Sequence, residues 1–186
     1  MRILFLGYPN SPLLTYLQSR GEAVQTMEPL SEERLRMVNP DWVVSYRYRH
    51  LIEKKSLDLY PNRFINLHIA YLPWNRGADP NLWSWIENTP KGVTIHHIDA
   101  GVDTGDIIAQ REVEFTGEET LGESYDWLQG EIQALFYEVW PTIVAGTAPR
   151  QTQVGLGSYH RAADRERVAH LLTAGNDTTV KNLVRG

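Results

Sequence analysis

Apolar and polar positions alternate in blocks along the first third of the chain. An uninterrupted apolar run at residues 3–6 ends in Gly7-Tyr8-Pro9-Asn10, the pattern of a buried strand followed by a loop. Ser11-Pro12 then opens a helix, with serine as cap and proline at the first helical position. That helix turns Leu13, Leu14 and Leu17 inward and stops near Gly21. Residues 23–27 form a second strand, and Ser31-Glu32-Glu33-Arg34 begins a helix that ends before Pro40. Residues 41–45 are a third strand, and residues 63–68 a fourth, which follows the Pro61-Asn62 turn. Strands and helices in strict alternation predict a parallel sheet covered by helices.

The pattern changes after His68. A loop rich in proline and glycine covers 70–80, and a helix follows around 81–87. Residues 92–98 read as a fifth strand, 99–106 as a polar loop, and 107–113 as a returning strand. The last two strands predict an antiparallel edge on an otherwise parallel sheet. Between 120 and 145, Leu121, Tyr125, Leu128, Ile132, Leu135, Phe136 and Val139 recur at three- and four-residue spacings, the stripe of a long helix. Pro141 is expected to end or kink it. Beyond it, residues 155–160 read as a loop and 164–172 as a short helix. The class is α/β, a Rossmann-like, mostly parallel sheet with helices on both faces. The expected division is a catalytic domain over 1–146 and a short extension over 147–186 that packs on it.

Composition narrows the chemistry. The chain has 186 residues, 42% hydrophobic and 22% charged, ordinary values for a folded domain. Cysteine is absent, which excludes a disulfide scaffold, a thiolate zinc site and a cysteine nucleophile. A net charge of −5 argues against nucleic acid as a partner. The apolar run before Gly7 is too short for a signal peptide, and no stretch reaches the roughly 18 apolar residues of a membrane span. A cytoplasmic protein without membrane association is expected. The turn after the first strand offers only Gly7 and no P-loop lysine, so neither NAD nor ATP is expected there.

The candidate chemistry sits at the end of the fourth strand. Asn66 and His68 are two residues apart and share a strand face, at the carboxyl end where open α/β sheets place ligands. An amide and an imidazole there suit oxyanion stabilisation and proton transfer. They equally suit a strand end closed by two satisfied polar groups. A second cluster occupies the loop from 99 to 106, which carries three aspartates and two glycines. Beside a histidine, Asp103 would hold that imidazole in its cationic form or accept a proton through water. Asp99 and Asp106 read as loop-shaping residues, and the spacing does not fit a calcium-binding loop. His96 and His97 point to opposite faces of their strand, so at most one of them faces a common site, and no metal is expected.

Four segments in order then carry a resemblance: residues 65–68, 72–78, 92–96 and 101–105. Together they resemble the formyltransferase superfamily, which includes the glycinamide ribonucleotide, methionyl-tRNA and sugar N-formyltransferases. The resemblance covers residues 41–110 by motif and the flanks by pattern. It implies the formyltransferase fold and transfer of a formyl group from N10-formyltetrahydrofolate to a primary amine. The family's catalytic asparagine, histidine and aspartate fall on Asn66, His68 and Asp103. His96 falls on a supporting position near Asp103. The folate is expected along residues 45–52 and 99–103, with Tyr48, Arg49, His50, Leu51, His96, Asp99 and Gly101 as its contacts. The stretch Tyr46-Arg47-Tyr48-Arg49 is bulkier and more basic than in many relatives. Arg47 or Arg49 would pair there with the folate's glutamate or a substrate phosphate, unless the two form a solvated basic edge.

The acceptor follows from departures. The Gly- and Ser-rich phosphate loop of the glycinamide ribonucleotide enzymes is missing after the first strand. The segment from 74 to 83 and the late Gly157-Ser158-Tyr159-His160 are more similar to sugar N-formyltransferases. A nucleotide-linked amino-deoxysugar, of the kind used in surface polysaccharides, is the expected substrate, met by Trp74, Asn75, Arg76, Gly77 and Tyr159. Another small amine, or water in a formyl-folate hydrolase, is the alternative, and a homodimer is left open.

Overall fold

A computed structural model describes residues 1–184. β1 (Arg2–Leu6) is followed by α1 (Pro12–Gln18), whose Ser11 hydroxyl accepts from the Leu13 amide with proline in the first turn. β2 (Glu22–Thr26) leads to α2 (Glu32–Val38), capped by Ser31, opened by Glu32 and Glu33, and closed by Asn39 in the left-handed region. β3 (Trp42–Tyr46), α3 (Lys54–Leu59) and β4 (Phe64–His68) complete the alternating part. Then come β5 (Arg76–Gly77), α4 (Pro80–Ile86), β6 (Gly92–His97), β7 (Ile107–Glu112), α5 (Leu121–Val144) and β8 (Tyr159–His160).

Six strands form one sheet in the order β2-β1-β3-β4-β6-β7. β1 pairs in parallel with β2 and β3, and β3 with β4. The order therefore reverses at the boundary between β1 and β3, the place where open α/β sheets leave a crevice beyond their strand ends. The amide of His97 donates to Asp106 and that of Val113 to Lys91, so β6 and β7 run antiparallel, as the sequence pattern predicts.

The chain divides into two compact units, Met1–His68 with Ile95–Asp106, and Ile69–Thr94 with Ile107–Gly186. In the first, Leu4 and Leu6 of β1 share a face with Val43 of β3 and Phe64 of β4, under Leu35 of α2 and Leu57 next to it. Leu4 is in register with Val43, and Val43 with Phe64, so the apolar row runs straight across three strands. In the second, Leu82, Trp83, Trp85 and Ile86 of α4 meet Leu121 of α5 and Val168, Val180 and Leu183 of the tail. Residues 147–184 thus contribute core side chains to the unit that holds α4 and α5.

Two expectations change. Pro141 does not end α5, which continues to Val144. Trp140 and Ile143 remain buried on either side of it, so packing holds the last turn although one backbone donor is missing. The helix expected over 164–172 is a 3-10 segment, Ala162–Leu171, in which only Val168 is buried. One inward residue supplies too little apolar contact to hold an α-helical stripe.

Candidate active site

Asn66 and His68 project from the end of β4 on one face, while Leu67 between them is buried on the other. β6 brings His96 alongside, and the loop that leaves β6 folds back sharply. Asp99 shapes that loop by accepting from the Gly101 amide and, at 2.6 Å, from the Thr104 hydroxyl. At Gly105 a side chain would collide with the His97 carbonyl, so only glycine lets the loop lie this close to its strand. Asp103 itself stands at φ 53°, an uncommon conformation for a residue with a side chain.

This geometry gathers four polar groups in a space that water barely reaches. The Asn66 amide nitrogen donates to Asp103 Oδ1 at 3.2 Å and lies 3.3 Å from His96 Nε2. Asp103 Oδ1 is 3.4 Å from the same Nε2, and Asp103 Oδ2 is 3.7 Å from His68 Nδ1. His68 is 7% exposed and His96 2%. The hydrogens on His96 follow from its partners: Nδ1 faces the His97 carbonyl at 2.7 Å, which can only accept, so Nδ1 donates. Nε2 is then left to accept from Asn66. The side-chain rings of His68 and His96 stand edge to face at 6.4 Å. His68 thus presents its Nδ1 side to a carboxylate, the orientation of a proton-carrying imidazole backed by an acid.

The other expected residues are placed as follows. Tyr48 is anchored in the core by its hydroxyl, which donates to the Glu28 carbonyl at 2.8 Å, and burial pushes its phenol pKa up. Its ring meets His50 edge-on at 5.2 Å. Arg49 and His50 are exposed, and Leu51 is 78% exposed, an apolar side chain standing in solvent. Gly101 lies against the Thr104 side chain inside the loop. His96 and Asp99 are turned to the aspartate cluster described above.

In the second unit, Asn75 is fully enclosed, its amide donating to Thr89 at 2.7 Å and its backbone to the Ser158 hydroxyl at 2.9 Å. Arg76 holds Gln153 with two guanidinium nitrogens, at 3.1 and 2.8 Å. Gly77, at φ 87°, lets β5 lie against Tyr159 and His160 of β8. Trp74 and Tyr159 keep 37% and 49% of their surfaces exposed. His160 stacks flat on Trp83, centroids 3.9 Å apart. Sequence reasoning missed Gln153 and His160 because their partners lie far away in the chain. It also missed Tyr8, whose ring lies under Arg47, since the turn after β1 was read only for its glycines.

The chain as a whole has matches among known proteins. The formyl transferase profile fits residues 8–139. The chain belongs to the formyl transferase family. It is 33% identical over 155 residues to a methionyl-tRNA formyltransferase of Clostridium botulinum, covering 83% of this chain and 50% of that one. The chain spans about half the length of the curated relatives it matches. Among solved structures it is similar to the formyltransferase PseJ of Anoxybacillus kamchatkensis, in complex with UDP-4,6-dideoxy-4-formamido-L-AltNAc and tetrahydrofolate. The TM-score is 0.94 and the identity 45%, over 98% of this chain and 97% of that one. A 4-N formyltransferase of Francisella tularensis is similar at TM-score 0.71 and 25% identity, over 88% and 66%. The six-stranded mixed sheet is the fold of these enzymes, as the four sequence motifs implied.

Proposed function

We propose that the chain transfers the formyl group of N10-formyltetrahydrofolate to the 4-amino group of a UDP-linked dideoxy amino sugar. The observation that carries this reading is a likeness to PseJ over nearly the full length of both chains, where the tRNA enzymes match over half their length. Asn66, His68 and Asp103 supply what the transfer needs. As the amine nitrogen bonds to the formyl carbon, the formyl oxygen gains negative charge. Asn66 and His68 donate toward it, each donor worth about 2.7–4 kcal/mol of barrier. Asp103 takes the proton that the amine loses, and that proton goes to N10 as the old carbon–nitrogen bond breaks. The exchange balances, with one amide bond made and one broken.

In this reading the folate is a cosubstrate that lies along the surface beside β3. Leu51 offers exposed apolar area for a flat ring, and Arg49 and His50 offer exposed donors for a carboxylate tail. Trp74, Arg76, Gly77 and Tyr159 remain the proposed acceptor contacts, with Asn75 as the enclosed bracket behind them. Among the described residues no group of His, Asp and Glu is arranged to hold a metal ion, and the proposed reaction proceeds in a chelator.

The test is mass spectrometry of purified protein with N10-formyltetrahydrofolate and a UDP-4-amino-dideoxysugar. Gain of one formyl group on the sugar is expected. Formylation of methionyl-tRNA instead, or formate release at the same rate with no amine present, would overturn the reading.

A further inference from the structure

The sugar acceptor of the proposed reaction carries a diphosphate, and the first unit presents an exposed arginine, Arg47, at the end of β3. Strand order reverses between β1 and β3, so the crevice beyond those two strand ends is where a doubly wound sheet accepts a ligand. The loop after β1 is fixed there from three sides. The Gly7 amide donates to Thr26, Gln25 donates to the Gly7 carbonyl at 2.6 Å, and Ser11 closes a turn back onto the Tyr8 carbonyl. A side chain at Gly7 would strike the Tyr46 carbonyl and the Phe5 ring, so the loop is pressed against the end of β3. Tyr8 is therefore held in place. Its ring carries the guanidinium of Arg47 at 5.1 Å.

Arg47 is the first residue after β3, is exposed, and stands at φ 57°. Glycine is the default at such a position because a Cβ there is strained. An arginine kept in a conformation that favours glycine, and steadied on a fixed ring, is a side chain retained at a cost in backbone strain. A guanidinium presented in one plane is suited to phosphate oxygens, which it binds in pairs. The folate is expected along the residues that follow, Tyr48 to Leu51, and the β6 loop with Asp99 and Asp103, whereas the Arg47 guanidinium turns back to Tyr8 of the loop after β1.

We infer that Arg47, seated on Tyr8 at the strand-order reversal, binds the diphosphate of the sugar nucleotide. This inference rests on the proposed acceptor.

Arg47→Gly tests it, since glycine suits the backbone at this position and the variant should melt no lower than the parent. Removing a charge-assisted contact should raise KM for the UDP-amino sugar, and Ki for UDP alone, about 10- to 100-fold. The kcat and the KM for formyl-folate should stay near the parent values. Arg20 lies over Tyr16 at the same 5.1 Å on α1, away from the crevice, and Arg20→Ala should change neither KM. An unchanged KM for the sugar nucleotide in Arg47→Gly overturns the inference while leaving the proposed function standing. A rise confined to the KM for formyl-folate assigns Arg47 to the folate carboxylates and overturns it as well. If the parent protein neither formylates any UDP-amino sugar nor binds UDP, both readings fall together.

Discussion

Asp103 is the residue on which the others depend. It accepts from Asn66, approaches His96 and His68, and adopts φ 53° to do so. Replacing it with asparagine keeps the shape and removes the charge and the proton acceptor. Asp103→Asn should therefore lower kcat by roughly two orders of magnitude or more at every pH, with no shifted optimum at which activity returns. A pH–rate profile measured on the folded variant decides this, and a rate restored at high pH would assign the proton to another group. Asn66 and His68 were legible in the sequence because a two-residue spacing on a strand forces a shared face. Asp103 was legible as a candidate only through its motif. Its approach to Asn66 depends on a left-handed residue in a folded-back loop, and propensity rules give no sign of that at an aspartate. His96 carries more than its expected supporting role among the folate contacts, since its Nε2 faces both Asn66 and Asp103.

At the scale of elements, the alternation of 3–6, 23–27, 41–45 and 63–68 was enough to set out the parallel strands, because the first, third and fourth are buried runs with clear punctuation, and the second, a half-exposed edge strand, is marked by the Gly21 stop before it. β5 and β8 escaped notice. Two residues pair with two others more than eighty positions away, and nothing local in Arg76-Gly77 or Tyr159-His160 signals it. The loop from 99 to 106 was recognised, and its fold-back explains both glycines. Gly105 is the hinge of that argument, since a Cβ would meet the His97 carbonyl. Gly105→Ala should push the loop off β6 and carry Asp103 away from Asn66 and His68. The expected result is a folded enzyme with kcat lowered about 100-fold, consistent with a displacement of roughly 1 Å in a catalytic group. Near-parental turnover would show that the loop tolerates the methyl and that Asp103 does not depend on it. Exchange of the 101–105 amides, followed by mass spectrometry, provides the structural readout.

Across the whole molecule, the proposed catalytic groups and the tail fall in different compact units. Asn66, His68, His96 and Asp103 all lie in the first, and residues beyond 147 lie in the second. The sequence predicts a short extension that packs on the rest of the chain, although it shows no sustained apolar stripe. Its contribution comes instead from isolated residues, Val168, Val180 and Leu183, spaced by short 3-10 turns. The Thr178 and Glu119 carbonyls accept from Leu121 and Val180, fixing this segment at the start of α5. Leu183 is fully enclosed among Leu82, Trp85 and Leu121 in the same apolar cluster. Leu183→Ala should cost about 2–5 kcal/mol, the range for emptying an enclosed leucine site. For a chain of this size each kcal/mol lowers Tm by about 2–4 °C. Because the substitution touches none of the four catalytic groups, kcat measured well below the new Tm should remain near the parent value. A melting curve that does not move would mean that the tail leaves the core in solution, whereas a lowered Tm with intact kcat would show that Leu183 holds the second unit together without taking part in the transfer.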